Sequence, residues 1–120
     1  MKNQDLLARL RQFRALYGNI GVRIEAISPD DIARLDNMNY VNITNVASAV
    51  TSVVVTGSSA SKVEMKVDDL ITALDALDDT YGVARLTEKG RACVNNVTYI
   101  DSTMSYGYNY LNPMKIIMLN

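Results

Sequence analysis

Ile20-Gly21-Val22-Arg23-Ile24-Glu25-Ala26-Ile27 admits two secondary structures, and the class of the protein depends on which one forms. Apolar and polar residues alternate well enough along it for a strand. The same residues also prolong an apolar series at 4-3-4-3 spacing: Leu6, Leu10, Phe13, Tyr17, Ile20, Ile24 and Ile27. That spacing is the seam of a helix that packs on another helix. Gly18 and Gly21 would each cost such a helix about 1 kcal/mol relative to Ala. Gly18 and Asn19 would also serve as a C-cap. The unbroken seam favours one long helix over residues 3–27, opened by Asn3 as N-cap, with the strand as its rival.

A second seam runs through Val63, Val67, Leu70, Leu74, Leu77 and Tyr81. Ser61 and Glu64 have the spacing of a capping box, and Gly82 follows as a stop, which predicts a helix over 62–81. The two segments oppose each other in charge. Residues 1–27 hold five Lys and Arg against two acids, and residues 62–81 hold two against six. Helices that match in apolar spacing and differ in sign are natural partners, within one chain or between chains. The expected interface is Leu6, Leu10, Phe13 and Tyr17 on one seam with Val67, Leu70, Leu74 and Leu77 on the other.

Between them, Ser28-Pro29-Asp30-Asp31 reads as the start of a short helix near 29–38. Residues 39–49 favour neither state, and Ser52-Val53-Val54-Val55-Thr56 is β-prone. Past Gly82 the pattern becomes β-rich. Glu88-Lys89-Gly90 separates two strand-like runs as a hairpin turn, 97–105 and 106–111 are strand-like, and 115–119 resembles a last strand. The expectation is an α+β fold: two heptad-patterned helices, a short helix and a β-rich C-terminal third, in a single domain over 1–120.

Composition bounds the function. A formal net charge of −1 gives no whole-chain attraction to nucleic acid or anionic lipid. The longest uncharged run, 37–61, is too rich in Asn, Ser and Thr for a membrane span. No signal-peptide core is visible, and Cys93 is the only cysteine, so a cytoplasmic protein without an intrachain disulfide is expected. The chain has no histidine, which removes the commonest general base and most zinc sites.

Of the candidate sites, Tyr106, Tyr108 and Tyr110 stand out, because on a strand their rings would share one face. With Arg85 and Arg91 in the preceding hairpin they could hold a nucleotide. The rival reading is that tyrosine is simply favoured in strands. The acids Glu64, Asp68, Asp69, Asp75, Asp78 and Asp79 fall off the seam and read as a solvated face, so no metal is expected. Arg9, Arg11, Arg14 and Arg23 make the first segment basic, for which pairing with an acidic helix is the simpler use. Cys93, in a strand without an activating neighbour, reads as a buried structural thiol. Asp101 and Tyr99 are the nearest thing to an acid–base pair, in no recognisable motif.

Residues 6–27 and 55–77 resemble the N-terminal helical hairpin of small phage regulators of the ArpU type. The likeness rests on an Arg-bearing first helix, the loop Thr56-Gly57-Ser58-Ser59 and a second helix containing Lys62-Val63, Leu70-Ile71 and Leu74. It covers roughly half the chain and implies a phage or mobile-element origin. Those regulators continue into a DNA-reading helix-turn-helix, whereas 82–120 reads here as β, so no DNA-contacting residue is carried over.

The expected function is therefore that of a small intracellular interaction protein, homo-oligomeric through its seams. It would bind another protein, as a phage accessory factor that inhibits or regulates a host enzyme does, and would not be an enzyme. The alternatives are a nucleotide-binding module using the tyrosine face, and a DNA-associated regulator. No cofactor is expected, no membrane, and nucleic acid only under the last alternative.

Overall fold

Gly18 ends the first helix. In the computed structural model, which describes residues 1–27, 40–101 and 115–120, its φ is +84° and its N–H donates to Arg14 O at 3.0 Å. That left-handed conformation suits glycine and stops α1 (Asn3–Tyr17). The chain continues as β1 (Gly21–Glu25). Val22 and Ile24 point into the core and are fully buried, while Arg23 and Glu25 face the other way. The strand also satisfies its backbone on both sides, against β2 (Tyr40–Ala49) and β8 (Lys115–Leu119). A helix over 3–27 would leave those two neighbours without a central strand, and the long-helix expectation is corrected accordingly.

The second helix is also shorter than its seam. Residues Met65–Lys66 form β4 against β1, and α2 spans only Val67–Asp75. Ser61 and Glu64 therefore cap nothing. The chain is mostly β: about a quarter of the described residues are helical and 47% are in strands. The two-helix hairpin and coiled coil are thus overturned, together with the resemblance to the phage regulators, because 21–25 and 65–66 are strands where that hairpin needs helix and 56–58 continues a strand where it needs a loop. The short helix expected near 29–38 lies outside the described residues.

The remaining strands are β3 (Ser52–Ser58), β5 (Gly82–Thr87), β6 (Gly90–Cys93) and β7 (Val97–Asp101). They join one mixed sheet in the order β6-β5-β3-β2-β1-β8-β7, with β4 beside β1, curled into a half-barrel. Pairings β3–β5 and β1–β8 are parallel and the others antiparallel. The hairpin β5–β6 turns at Glu88-Lys89, where the spacing places it. Both helices cover one face, packing Leu6, Leu10, Leu70 and Leu74 on Val22, Val53 and their neighbours. On the opposite face Tyr40 and Ile116 form a separate cluster with Ile100 and Met118, and the Arg23 guanidinium lies 5.9 Å from the Tyr40 ring centre.

Helix α2 has nine residues, too few to persist alone in water. Side chains from the two ends of α1 hold it. Asn19 Oδ1 accepts the Asp68 N–H at 2.9 Å at its start, where Ile20 O takes the Val67 N–H. At its end, the fully buried Asn3 donates through Nδ2 to Leu74 O at 2.9 Å, and at longer range to Leu77 O and Asp78 O. Asn3 is thus not the N-cap of its own helix but a C-cap for the other one. Two ion pairs on the same flank, Arg14–Asp68 at 2.8 Å and Arg11–Asp75 at 3.2 Å, are exposed and add little.

Asn3→Ala should destabilise the protein by about 2 kcal/mol in urea unfolding, because buried carbonyls lose their donor. Asn3→Asp should cost more than Ala, since a carboxylate would face the same carbonyls. A second prediction concerns pH. Thr80 donates its hydroxyl and then its N–H to Asp78 Oδ1, which lowers the Asp78 pKa below its ordinary 3.8. A lowered folded pKa means stability that is present above pH 3.8 and lost as pH falls through the folded value. Thr80→Val should flatten that part of the acid-unfolding curve and leave the neutral-pH shape intact.

Candidate functional site

The structure redistributes the residues singled out in the sequence. Leu6, Leu10, Val67, Leu70 and Leu74 are fully buried within the chain, with Phe13 and Leu77 half-buried beside them. The two seams meet each other within one chain, and Val63 at the start of the second is left exposed. Tyr17 lies at the exposed end, its ring stacked on Tyr99 at 3.7 Å and 2°. Tyr106, Tyr108 and Tyr110 lie outside the described residues.

Arg85 and Arg91 do not converge. In the β5–β6 ladder Arg85 pairs with Ala92 and Arg91 with Leu86, so alternation puts the two guanidinium groups on opposite faces. Arg85 is held inside: Nη1 donates to Glu25 O at 2.9 Å, Nε donates to Cys93 O at 3.2 Å, and Glu25 Oε2 is 3.7 Å away. It ties β5 and β6 to the end of β1. Arg91 is exposed with Cys93, whose thiol is free and not buried as expected. Both line a recess of about 370 Å³ with Ser52 and Gly82.

The acid–base candidates fare no better. Partial desolvation raises the Tyr99 pKa, and Asp101 and Tyr17 push it the same way. A phenol made harder to ionise is a poor base at neutral pH. Among the described residues no three acidic or thiol groups gather to hold a metal, and no helix is long and apolar enough to cross a membrane.

What the sequence reading missed is the β2–β3 hairpin. It is built into the sheet, with β3 paired to β5 from Ser52 onward, and its tip is exposed: Ala47, Ser48, Ala49, Val50 and Thr51 all face solvent. The strands pair through Ala49 and Ser52, so the loop is only Val50-Thr51. Val50 alone among the described non-glycine residues has positive φ, +57°, the pattern of a type II′ turn whose first central position favours glycine. A β-branched side chain there costs of order 1–3 kcal/mol. Val50 gains no packing in return, because it is 94% exposed. No Asn-Gly or Asp-Gly marks this turn, so its chemistry could not announce it. The one visible signal was the uncharged run 37–61.

At the other end of the same hairpin a bulge at Thr44 shifts the register between Ile43 and Asn45. There a groove of about 430 Å³ opens, lined by Ile43, Thr44, Val63 and Met65, with Glu64 and Asp69 also in its lining. Val63 is 76% exposed. Asn42 Nδ2 donates to Ser61 O at 2.9 Å and fixes the segment that carries Val63.

Comparison with protein-family models, with curated proteins and with solved structures finds no significant match to the chain in any of the three.

If Val50 is strained, Val50→Gly should stabilise the protein by about 1 kcal/mol in urea unfolding, and Val50→Asn should do no harm. Val50→Ile should leave the deficit in place.

Proposed function

We propose that this protein works by binding another protein, and that the tip of the β2–β3 hairpin is the contacting element. The observation that carries the reading is Val50, a bulky apolar residue fully presented to solvent in a backbone conformation that glycine would occupy without strain. Strain of this kind persists where a side chain has a use that folding alone does not supply. The surroundings of the tip support protein as the partner class. Residues 37–61 carry no charge, so the tip can be desolvated against an apolar surface without stranding an ion. Of the two arginines expected to meet a nucleotide, Arg85 is engaged with backbone carbonyls and Glu25 and does not converge with Arg91, while Arg11 and Arg14 pair with aspartates.

The test is a photoreactive amino acid placed at position 50 of the full chain in cells that express it. The expected result is a discrete covalent adduct carrying one additional protein. The same probe at the exposed Lys115 serves as the control. Adducts from position 50 no more abundant than from position 115 would overturn the proposal.

A further inference from the structure

We infer that the partner at the hairpin tip is a second copy of this chain, with Val50 of each copy seated in the groove lined by Ile43, Val63 and Met65 of the other. The inference rests on the hairpin tip being a binding surface, and adds what binds there. Among the described residues Val50 and Val63 are the two most exposed large apolar side chains. One chain does not bring them together, because tip and groove sit at opposite ends of the same hairpin. Thr44 and Val50 are six residues apart, about 20 Å along a strand. Two hairpins laid antiparallel bring the tip of each to the groove of the other, and so cover both valines of both copies. That arrangement is isologous and closes as a two-fold dimer, leaving no open end for a fibre.

The polar chemistry of the two surfaces also matches. Glu64 and Asp69 belong to the groove lining, the Glu64 carboxylate lying over Gly21 at its edge, and carboxylates accept hydrogen bonds and donate none. The tip brings the hydroxyls of Ser48 and Thr51, and no carboxylate to repel them. At about 430 Å³ the groove is larger than one valine side chain, so part of the turn backbone enters with it. The bulge at Thr44 widens the groove mouth at the point where β2 would otherwise run straight past it.

The full-length protein should sediment and appear in native mass spectra at twice the 13.3 kDa chain mass. In a Cys93→Ser background, Val50→Cys and Val63→Cys proteins mixed under mild oxidation should give a disulfide-linked dimer. Neither should give it at comparable yield alone. Val50→Gly should weaken dimerisation at least tenfold while raising the stability of the folded monomer, so that lost assembly cannot be mistaken for unfolding. Val63→Glu should weaken it to a similar degree. The inference is overturned if the wild-type chain stays monomeric at every concentration reached, or if it dimerises without the mixed disulfide and Val50→Gly dimerises equally well. It is also overturned if the adduct formed at position 50 in cells contains a different protein. In that last case the binding role of the tip stands and only the identity of the partner changes.

Discussion

Two asparagines hold the short helix that the rest of the packing depends on. Asn19 takes an N–H at the start of α2 and Asn3 donates to carbonyls at its end, so a nine-residue segment is fixed by both termini of α1. Each hydrogen bond is worth only about 1 kcal/mol net. Their geometric effect is larger, since they set where Val67, Leu70 and Leu74 enter the core and hence how the helical layer lies on β1 and β2. The same anchoring places Asp69 and the preceding segment beside Ile43, which is how the groove on β2 acquires its second wall.

The half-barrel is closed at one end by different means. Arg85 reaches from β5 to Glu25 O and Cys93 O, satisfying carbonyls where β1 leaves the sheet and where β6 ends. A guanidinium with several donors in one plane suits that task better than a lysine would. Its near-burial among carbonyl oxygens also explains why it is not available to an external phosphate. The Arg11 and Arg14 pairs stay on the exposed flank of the helices, and the β2–β3 hairpin itself carries no charged residue.

That distribution gives the hairpin a consistent character. It is uncharged, held in the sheet by β5, and joined by a two-residue loop whose first residue is strained. A sequence under selection for stability alone would place glycine at 50. The retained valine and Val63, beside the far end of the hairpin, are the two most exposed large apolar side chains among the described residues, and the proposed antiparallel pair of hairpins would cover both. The seam residues, expected to join helices within one chain or between chains, build the interior of this one.

Parts of this architecture were legible without coordinates. Local chemistry is enough for the hairpin turn near Glu88-Lys89-Gly90 and the last strand, because turn residues and short-range alternation act within a few positions. The Gly18 stop is visible as a candidate C-cap, but the seam running past it favours the long helix. The facing of the two seams and the opposed charges of their flanks were also readable, and the helices meet on those residues. Ile24 could not be resolved in the same way. It satisfies a heptad seam and a strand alternation equally, and only the presence of β2 and β8 on either side makes the strand win. Asn3 was read as a local cap because its long-range partners, three carbonyls more than seventy residues away, have no signature in the chain around it. Val50 was hidden for the opposite reason: its residue type argues against a turn, and the pairing of Ala49 with Ser52 imposes one. Periodicity and capping chemistry thus determined which residues are apolar neighbours and where elements stop. The sheet order decided which of two compatible structures each ambiguous segment took, because backbone hydrogen bonds to distant strands outweigh a seam that a neighbouring helix completes only in part.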